Sequence, residues 1–144
     1  MFDHQISRFE KCIADLPDQP TLAPDALKAW FDSAPEQLRQ ALEDVDSADF
    51  TVLLAHRPEL LAKYAQFPVD LVVSGHAHGG QVRIPGVLNG LYAPNQGWFP
   101  KLAGGAYAQG GTTLIVSRGL AVRTRLPRIF NRPEVVLVRC VPAE

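Results

Sequence analysis

Several features are scarce in this chain of 144 residues, and each scarcity excludes a class of protein. The two cysteines, Cys12 and Cys140, are too few for a disulfide scaffold and too far apart for a zinc knuckle or a redox pair. No apolar run approaches the roughly 18 residues of a membrane span. The first residues lack the basic and then apolar order of a secretory signal. We therefore expect buried or idle thiols in a reducing compartment and a cytoplasmic protein.

Glycine is absent before Gly75, and basic residues are scarce in the same part of the chain. Residues 1–50 carry four Lys or Arg against eleven Asp or Glu, a balance of −7, whereas residues 51–144 carry ten against four, a balance of +6. The asymmetry predicts an acidic helical segment and linker over residues 1–49, followed by a region rich in strands and loops over residues 50–144. The 47% of hydrophobic residues is enough for a buried core.

The acidic segment is predicted to form short helices around three prolines. Two of them are placed at Ile6–Leu16 and at Asp25–Phe31. A third helix is predicted to begin near Pro35, since proline is favoured in the first helical turn. Its apolar stripe would consist of residues spaced by four and three, namely Leu38, Leu42 and Val45.

From Phe50 onward, short apolar runs alternate with turns, which predicts an α/β fold. Phe50–Ala55 and Val69–Val73 have the composition of buried strands, and Pro58–Phe67 between them has that of a helix ended by Pro68. A strand, a ten-residue helix and a strand form a βαβ unit, which normally has parallel strands. Three further strands are predicted at Gln81–Ile84, Thr112–Ser117 and Val135–Cys140.

Three of the four histidines come directly after the two apolar strands of the βαβ unit. His56 follows the first strand, and His76 and His78 follow the second. Ligands of open α/β sheets bind beyond the carboxyl ends of parallel strands, so the three imidazoles are expected to converge there. In extended backbone, His76 and His78 would point the same way. A single histidine after a strand is usually structural, but three at adjacent strand ends predict a metal site, while His4 is expected at the surface.

Two of these segments resemble the last two metal motifs of the calcineurin-like metallophosphoesterases: LLAHRPE at Leu53–Glu59 and SGHAHGGQ at Ser74–Gln81. The resemblance is to a bacterial subgroup and covers about residues 50 to 140. It extends to three more segments, Gly90–Pro94, Gly111–Leu120 and Asn131–Glu134. It implies part of a four-layer α/β/β/α sandwich, in which mixed sheets are flanked by helices, with this chain as the C-terminal half.

The resemblance also implies a site and an activity. In that family His56 and His76 would ligate one divalent metal and His78 a second, with Mn, Fe or Zn as the ions. The implied reaction is the hydrolysis of phosphomonoesters or phosphodiesters by metal-activated water, on a phosphorylated small molecule or lipid. Full-length relatives are expected in some cases to associate with membranes.

The family's first three motifs, Asp-x-His, Gly-Asp and Asn-His-Asp/Glu, have no counterpart here; Asp3 and His4 are adjacent rather than separated. Three neutral imidazoles could complete one open site but cannot offset the repulsion of two close cations. The alternative hypothesis is therefore a catalytically silent truncated fragment, or a weak metal-binding module that needs a complementary chain. No catalytic residue is assigned. The absent half also predicts self-association through an exposed sheet edge.

Other side chains have competing interpretations. Five arginines could form a basic rim for phosphorylated substrates or a solvated loop: Arg118, Arg123, Arg125, Arg128 and Arg132. The aromatic segment from Leu91 to Phe99 is expected to pack into the core near the site. Asp70 lies at the far end of its strand from the histidines and is expected to pair locally. No basic helix or stacking platform indicates a nucleic-acid partner.

Overall fold

The computed structural model of the chain describes residues 35–46, 48–121 and 127–142. This part has an α/β fold with few helices, as the sequence predicts, and its main sheet contains both parallel and antiparallel strand pairs. The helices described are too short and too polar to cross a lipid bilayer.

The chain divides into two units, Met1–Asp46 and Ser47–Glu144. In the first unit, residues 35–42 are helical (α1). Leu38 and Leu42 are half-buried while most of their neighbours are exposed, in agreement with the predicted stripe. The other two predicted helices lie outside the described residues, as do His4 and Cys12. The predicted division into an acidic helical segment and linker over residues 1–49 and a second region over residues 50–144 stays a prediction.

The second unit contains every strand that the structure describes. Its main sheet has four strands: β1 (Val52–Leu54), β2 (Leu71–Ser74), β5 (Gly105–Gln109) and β6 (Thr112–Val116). The order across the sheet is β1, β2, β6, β5. The first three strands are parallel, and β5 joins β6 as an antiparallel hairpin. The predicted parallel pairing of the βαβ unit is therefore confirmed.

The centre of this sheet is also the centre of the core. Val72 of β2 and Leu114 and Val116 of β6 are fully buried. The register pairs Val72 with Leu114, so the two side chains come from adjacent strands. Burial of each side chain of this size contributes about 1.5–3 kcal/mol to stability.

The connection between β1 and β2 is helical but shorter than predicted. A 3-10 turn at Pro58–Leu60 leads into α2 (Leu61–Tyr64). Leu61 and Tyr64 of this connection are buried. Asp70, just before β2, accepts a hydrogen bond on Oδ2 from the Thr51 N–H (2.7 Å), so its partner comes from the segment before β1, 19 residues away, rather than from its own neighbours.

Strand β1 differs from the prediction because it lies at the edge of the sheet. It covers Val52–Leu54 rather than Phe50–Ala55, and it is not buried: Phe50 is 62% exposed and Leu54 42% exposed. Its only pairing in the described chain is with β2, so one side of its backbone and part of its side chains have no cover. The apolar composition correctly indicated a strand but not its position.

Two other predicted strands are wrong. Residues 81–84 form only isolated bridges, Val82 with Ile129 and Ile84 with Leu88. Residues 135–140 have no strand at all, and Leu137 there is 93% exposed. A strand requires a neighbour for its ladder of hydrogen bonds, and the described chain offers none to this segment.

A second, small sheet follows the histidine loop. Its strands are β3 (Tyr92–Ala93) and β4 (Gly97–Trp98), which pair as an antiparallel hairpin. Tyr92 and Trp98 make an edge-to-face contact, with ring centroids 5.5 Å apart. Trp98 and Phe99 are each 65% exposed, so the prediction that this aromatic segment packs into the core is wrong. The side chains pack on each other across the hairpin instead.

Candidate functional site

The histidine loop begins where β2 ends and turns back sharply on itself. His76, His78 and Gln81 all have positive φ values, 64°, 48° and 61°. The left-handed region costs a residue with a Cβ about 1 kcal/mol, so three such residues form an unusual concentration of backbone strain. The expectation that His76 and His78 lie in extended backbone is wrong, since the backbone between them is a tight turn.

The loop is tight because two glycines let other segments approach its backbone. A Cβ on Gly80 would lie 2.3 Å from the Gly90 Cα, and one on Gly79 would lie 2.3 Å from Asn131 Oδ1. Both residues also have positive φ. Glycine is therefore required at both positions, and the GG pair of the motif has a structural explanation.

Parallel pairing brings His56 and His76 together. Leu54 pairs with Val73, and the Ala55 N–H donates to the Val73 carbonyl (3.0 Å), so the two strands end side by side. The imidazole rings of His56 and His76 lie with their centroids 4.1 Å apart and their planes at 50°. The predicted convergence of these two side chains at the carboxyl edge of the sheet is thus present in the structure.

The surroundings favour neutral imidazoles. Burial lowers the pKa of His76 below its ordinary value, and His56 lowers it further. The pKa of His78 is also lowered, by burial first and then by Arg128 and His56. The neutral ring is the form that can donate a nitrogen lone pair to a metal ion.

An ion pair that the sequence did not single out lies beside the histidines. Arg57 Nε donates to Glu59 Oε1, and both charges act on His76. The second oxygen, Glu59 Oε2, is buried and has no hydrogen-bond partner among the described residues. This carboxylate, whose charge acts on His76, therefore retains an acceptor without a partner in the described part of the chain. The HRPE sequence contained this pair, but nothing in its spacing indicated where the side chains would lie.

Asn131 holds the loop from far along the chain. Its Nδ2 donates to the His78 carbonyl (2.7 Å) and to the Gln81 carbonyl (3.0 Å), and the residue is 2% exposed. These bonds fix the turn that carries the histidines. The sequence signal was the NRPE segment, which shared the family resemblance without a role attached to it.

Asn95 contacts the site directly. Its Nδ2 lies 2.9 Å from His76 Nε2, at the tip of the β3–β4 hairpin. The PNQG sequence around it signalled a turn but gave no indication of a contact with a histidine.

Two of the five arginines have structural partners. Arg118 forms an ion pair with Glu134, whose pKa is held below its ordinary value chiefly by this hydrogen bond. Arg128 donates to the carbonyls of Arg118 (2.8 Å) and Ala121 (2.7 Å). These contacts favour the structural interpretation for both residues over a free basic rim. Arg123 and Arg125 lie outside the described residues.

The donors present fit part of a metal site. Imidazole nitrogens suit Mn, Fe and Zn, and His56 and His76 supply two of them side by side. Within residues 35–46, 48–121 and 127–142, however, no group of three or more His, Cys, Asp or Glu side chains is placed to hold a metal ion. The assignment of His56, His76 and His78 as ligands stays a prediction.

The fold and the site together define a mixed α/β protein whose histidines lie at the carboxyl ends of parallel strands. Its curated relatives include the uncharacterized metallophosphoesterase YkuE of Bacillus subtilis, 38% identical over 89 residues, which are 61% of this chain and 30% of YkuE. The UDP-2,3-diacylglucosamine pyrophosphatase LpxG of Chlamydia muridarum is 33% identical over 101 residues, 62% of this chain and 29% of LpxG. The phosphodiesterase YaeI of Escherichia coli is 32% identical over 90 residues, 62% of this chain and 32% of YaeI.

The chain is therefore metallophosphoesterase-like and corresponds to the C-terminal portion of these bacterial proteins. It spans about a third of the length of the relatives it matches. No protein-family model and no solved structure matches it.

Proposed function

We propose that the chain is the C-terminal part of a metal-dependent phosphoesterase, in which His56, His76 and His78 hold divalent ions. The observation that carries the proposal is the contact between the His56 and His76 rings at the ends of two parallel strands. Metallophosphoesterases are metal-dependent by name, and a relative with this name is 38% identical to this chain over 61% of its length. Bound metal would supply an activated water for hydrolysis of the phosphoester.

The residues of this chain would bind and orient rather than complete the reaction. Burial favours the neutral form of His76 and His78, and Asn131 holds the loop at the carbonyls of His78 and Gln81. The Arg57–Glu59 pair adds fixed charges beside His76. Carboxylates that would bridge two ions must come from elsewhere, since the described residues hold no three-donor group.

The substrate class that we propose is a phosphorylated small molecule or lipid. The names of two relatives support it, one a UDP-2,3-diacylglucosamine pyrophosphatase and the other a phosphodiesterase. The reaction that we propose for this substrate class is the hydrolysis of a phosphomonoester or a phosphodiester. A cytoplasmic location also stays a proposal, and the free, exposed thiol of Cys140 fits a reducing compartment.

Metal binding is the first test of the proposal. Titration of zinc or manganese into the chain at about pH 7.5 should give modest affinity, because fewer donors are present than in a complete site. Binding should weaken at acid pH, and the lowered pKa values of His76 and His78 place the loss below about pH 6.5. His76→Ala should reduce the affinity at least about tenfold.

His4→Ala is the matched control, since His4 has no place in the proposed site. Equal affinity at about pH 7.5 and pH 4.5 would contradict ligation by imidazole. Unchanged zinc or manganese affinity in His76→Ala would also contradict ligation by this imidazole.

Hydrolysis of bis-p-nitrophenyl phosphate is the second test. The chain alone should be nearly inactive, because the bridging carboxylates are missing. Addition of a separately made N-terminal half that carries Asp-x-His and Asn-His-Asp/Glu motifs should raise the rate by several orders of magnitude. The rise should disappear with His78→Ala. Robust manganese-dependent turnover by the chain alone would show that no complementary half is needed.

The second candidate function is a weak metal-binding module that is catalytically silent. The lack of a three-donor group in the described part of the chain favours it. In that case metal would bind in the titration, but the complementary half would restore no hydrolysis. The two tests together therefore separate the candidates.

A further inference from the structure

The contact between Asn95 and His76 has no role in the fold of the main sheet, yet it reaches the histidine at the proposed site. The Asn95 side chain is exposed, whereas His76 is half-buried between the end of β2 and the His56 ring. The distance from Asn95 Nδ2 to His76 Nε2 is 2.9 Å, which is that of a good hydrogen bond.

The hairpin that carries Asn95 is anchored on the histidine loop. The Leu91 N–H donates to the Gly80 carbonyl (2.9 Å), directly before β3. On the other side, the Gln96 side chain bonds both the N–H and the carbonyl of Leu102, each at 3.0 Å. The hairpin is thus fixed at its base by Leu91 and at its tip by Gln96, and the tip is held beside His76.

The turn itself explains why an asparagine is tolerated at the tip. Asn95 has φ of 62°, and asparagine adopts the left-handed conformation more readily than most residues. Glycine would satisfy this backbone equally well. The side chain is therefore not required for the turn, and its position against His76 calls for another explanation.

An amide nitrogen donates hydrogen bonds and does not accept them. His76 Nε2 must then act as the acceptor, which places the ring proton of the neutral imidazole on Nδ1. A hydrogen bond to one ring nitrogen sets both the tautomer and the orientation of a histidine. With the proton on Nδ1 and the Nε2 lone pair accepting from Asn95, neither ring nitrogen is free for a metal ion, so an ion that binds at Nε2 must displace the amide.

We propose that Asn95 is a positioning residue for His76, which fixes the ring orientation and holds the neutral side chain as the Nδ1–H tautomer. Its consequence for metal binding rests on the function proposed above, but the tautomer does not. The two can therefore be tested separately in the same chain.

The tautomer is read from two-bond and three-bond ¹⁵N–¹H correlation spectra of the metal-free chain at about pH 8, where the ring is neutral. The wild-type chain should show His76 mainly as Nδ1–H. Asn95→Ala should lose this preference. Asn95→Asp should reverse it to Nε2–H, because a carboxylate only accepts. Trp98→Ala, a change at an exposed residue of the same hairpin, should leave the tautomer unchanged.

Zinc titration supplies the second readout. Asn95→Ala should bind zinc several-fold more tightly than the wild-type chain, because Nε2 is then free to bind the ion, and Trp98→Ala should bind it as the wild-type chain does. If the wild-type chain binds no zinc, the proposed function fails while the tautomer still decides the role of Asn95. An unchanged tautomer in Asn95→Ala, an equal shift in Trp98→Ala, or wild-type His76 as Nε2–H would overturn the proposal.

Discussion

Two apolar segments of this chain have opposite surroundings. Residues 69–74 run through the middle of the main sheet, where Val69 and Val72 are 4% and 0% exposed. Residues 135–141 are equally rich in valine and leucine, but Val135 is 80% exposed and Leu137 93% exposed. The first segment has a parallel neighbour on each side, whereas the second has no strand partner in the part of the chain that the structure describes.

The difference teaches that composition sets the tendency to form a strand but neighbours decide the outcome. In the first segment the ladders to β1 and β6 satisfy the backbone and the core covers the side chains. Strand β1 is intermediate, since it has one neighbour and is partly exposed. Exposed apolar strands and edges are sites where another chain can add.

The largest effect should come from a pair of identical substitutions in the two kinds of surroundings. Leu114→Ala removes a fully buried side chain next to Val72 and should lower the free energy of unfolding by about 2–5 kcal/mol. Leu137→Ala should change it by no more than about 0.5 kcal/mol. Urea denaturation of both variants measures the difference. A loss of similar size in Leu137→Ala would mean that residues 135–141 are packed in solution.

Self-association should come next in size. We expect a dimer or a larger species at micromolar concentration, because β1 presents an apolar edge that no strand of the described residues pairs with. Leu54→Lys places a charge on this edge and should weaken association about tenfold or more. Sedimentation measures it, with Val87→Lys, at an 82% exposed loop residue, as the control. A compact wild-type monomer with a cooperative thermal transition would contradict the expectation.

The smallest effect should come from Glu134, which lies directly before the exposed segment of residues 135–141. Glu134 pairs with Arg118, and the bond lowers the pKa of the carboxyl group. The carboxylate therefore stabilises the fold above its ordinary pKa, and this contribution disappears as the pH falls through the lowered value.

The matching variant is Glu134→Gln. Its free energy of unfolding should be lower by less than about 1 kcal/mol near pH 7 and should depend less on pH in the acid range. Denaturation of both proteins at several pH values tests this, with Glu36→Gln at an exposed pair as the control. An undiminished acid dependence in Glu134→Gln would assign the effect to other groups.

The parallel βαβ unit and the meeting of His56 with His76 followed from local signals. Apolar runs, a proline-led helix and histidines at strand ends are all patterns of neighbouring residues. The extended backbone expected for His76 and His78 was wrong because long-range contacts impose the turn: Asn131 bonds carbonyls 53 and 50 residues away. Asn95 escaped prediction for the same reason, since its contact spans 19 residues and depends on the hairpin.

By itself, the sequence determined the α/β class, the two strands of the βαβ unit and the histidines at their ends, because hydrophobic periodicity and strand-end chemistry are encoded locally. Only the tertiary structure decided that Val52–Leu54 is an edge, that residues 135–140 form no strand and that asparagines 95 and 131 hold the histidine loop. These features depend on which segments meet in space. Burial and hydrogen bonding are properties of a pair of segments, and one segment alone cannot specify its partner.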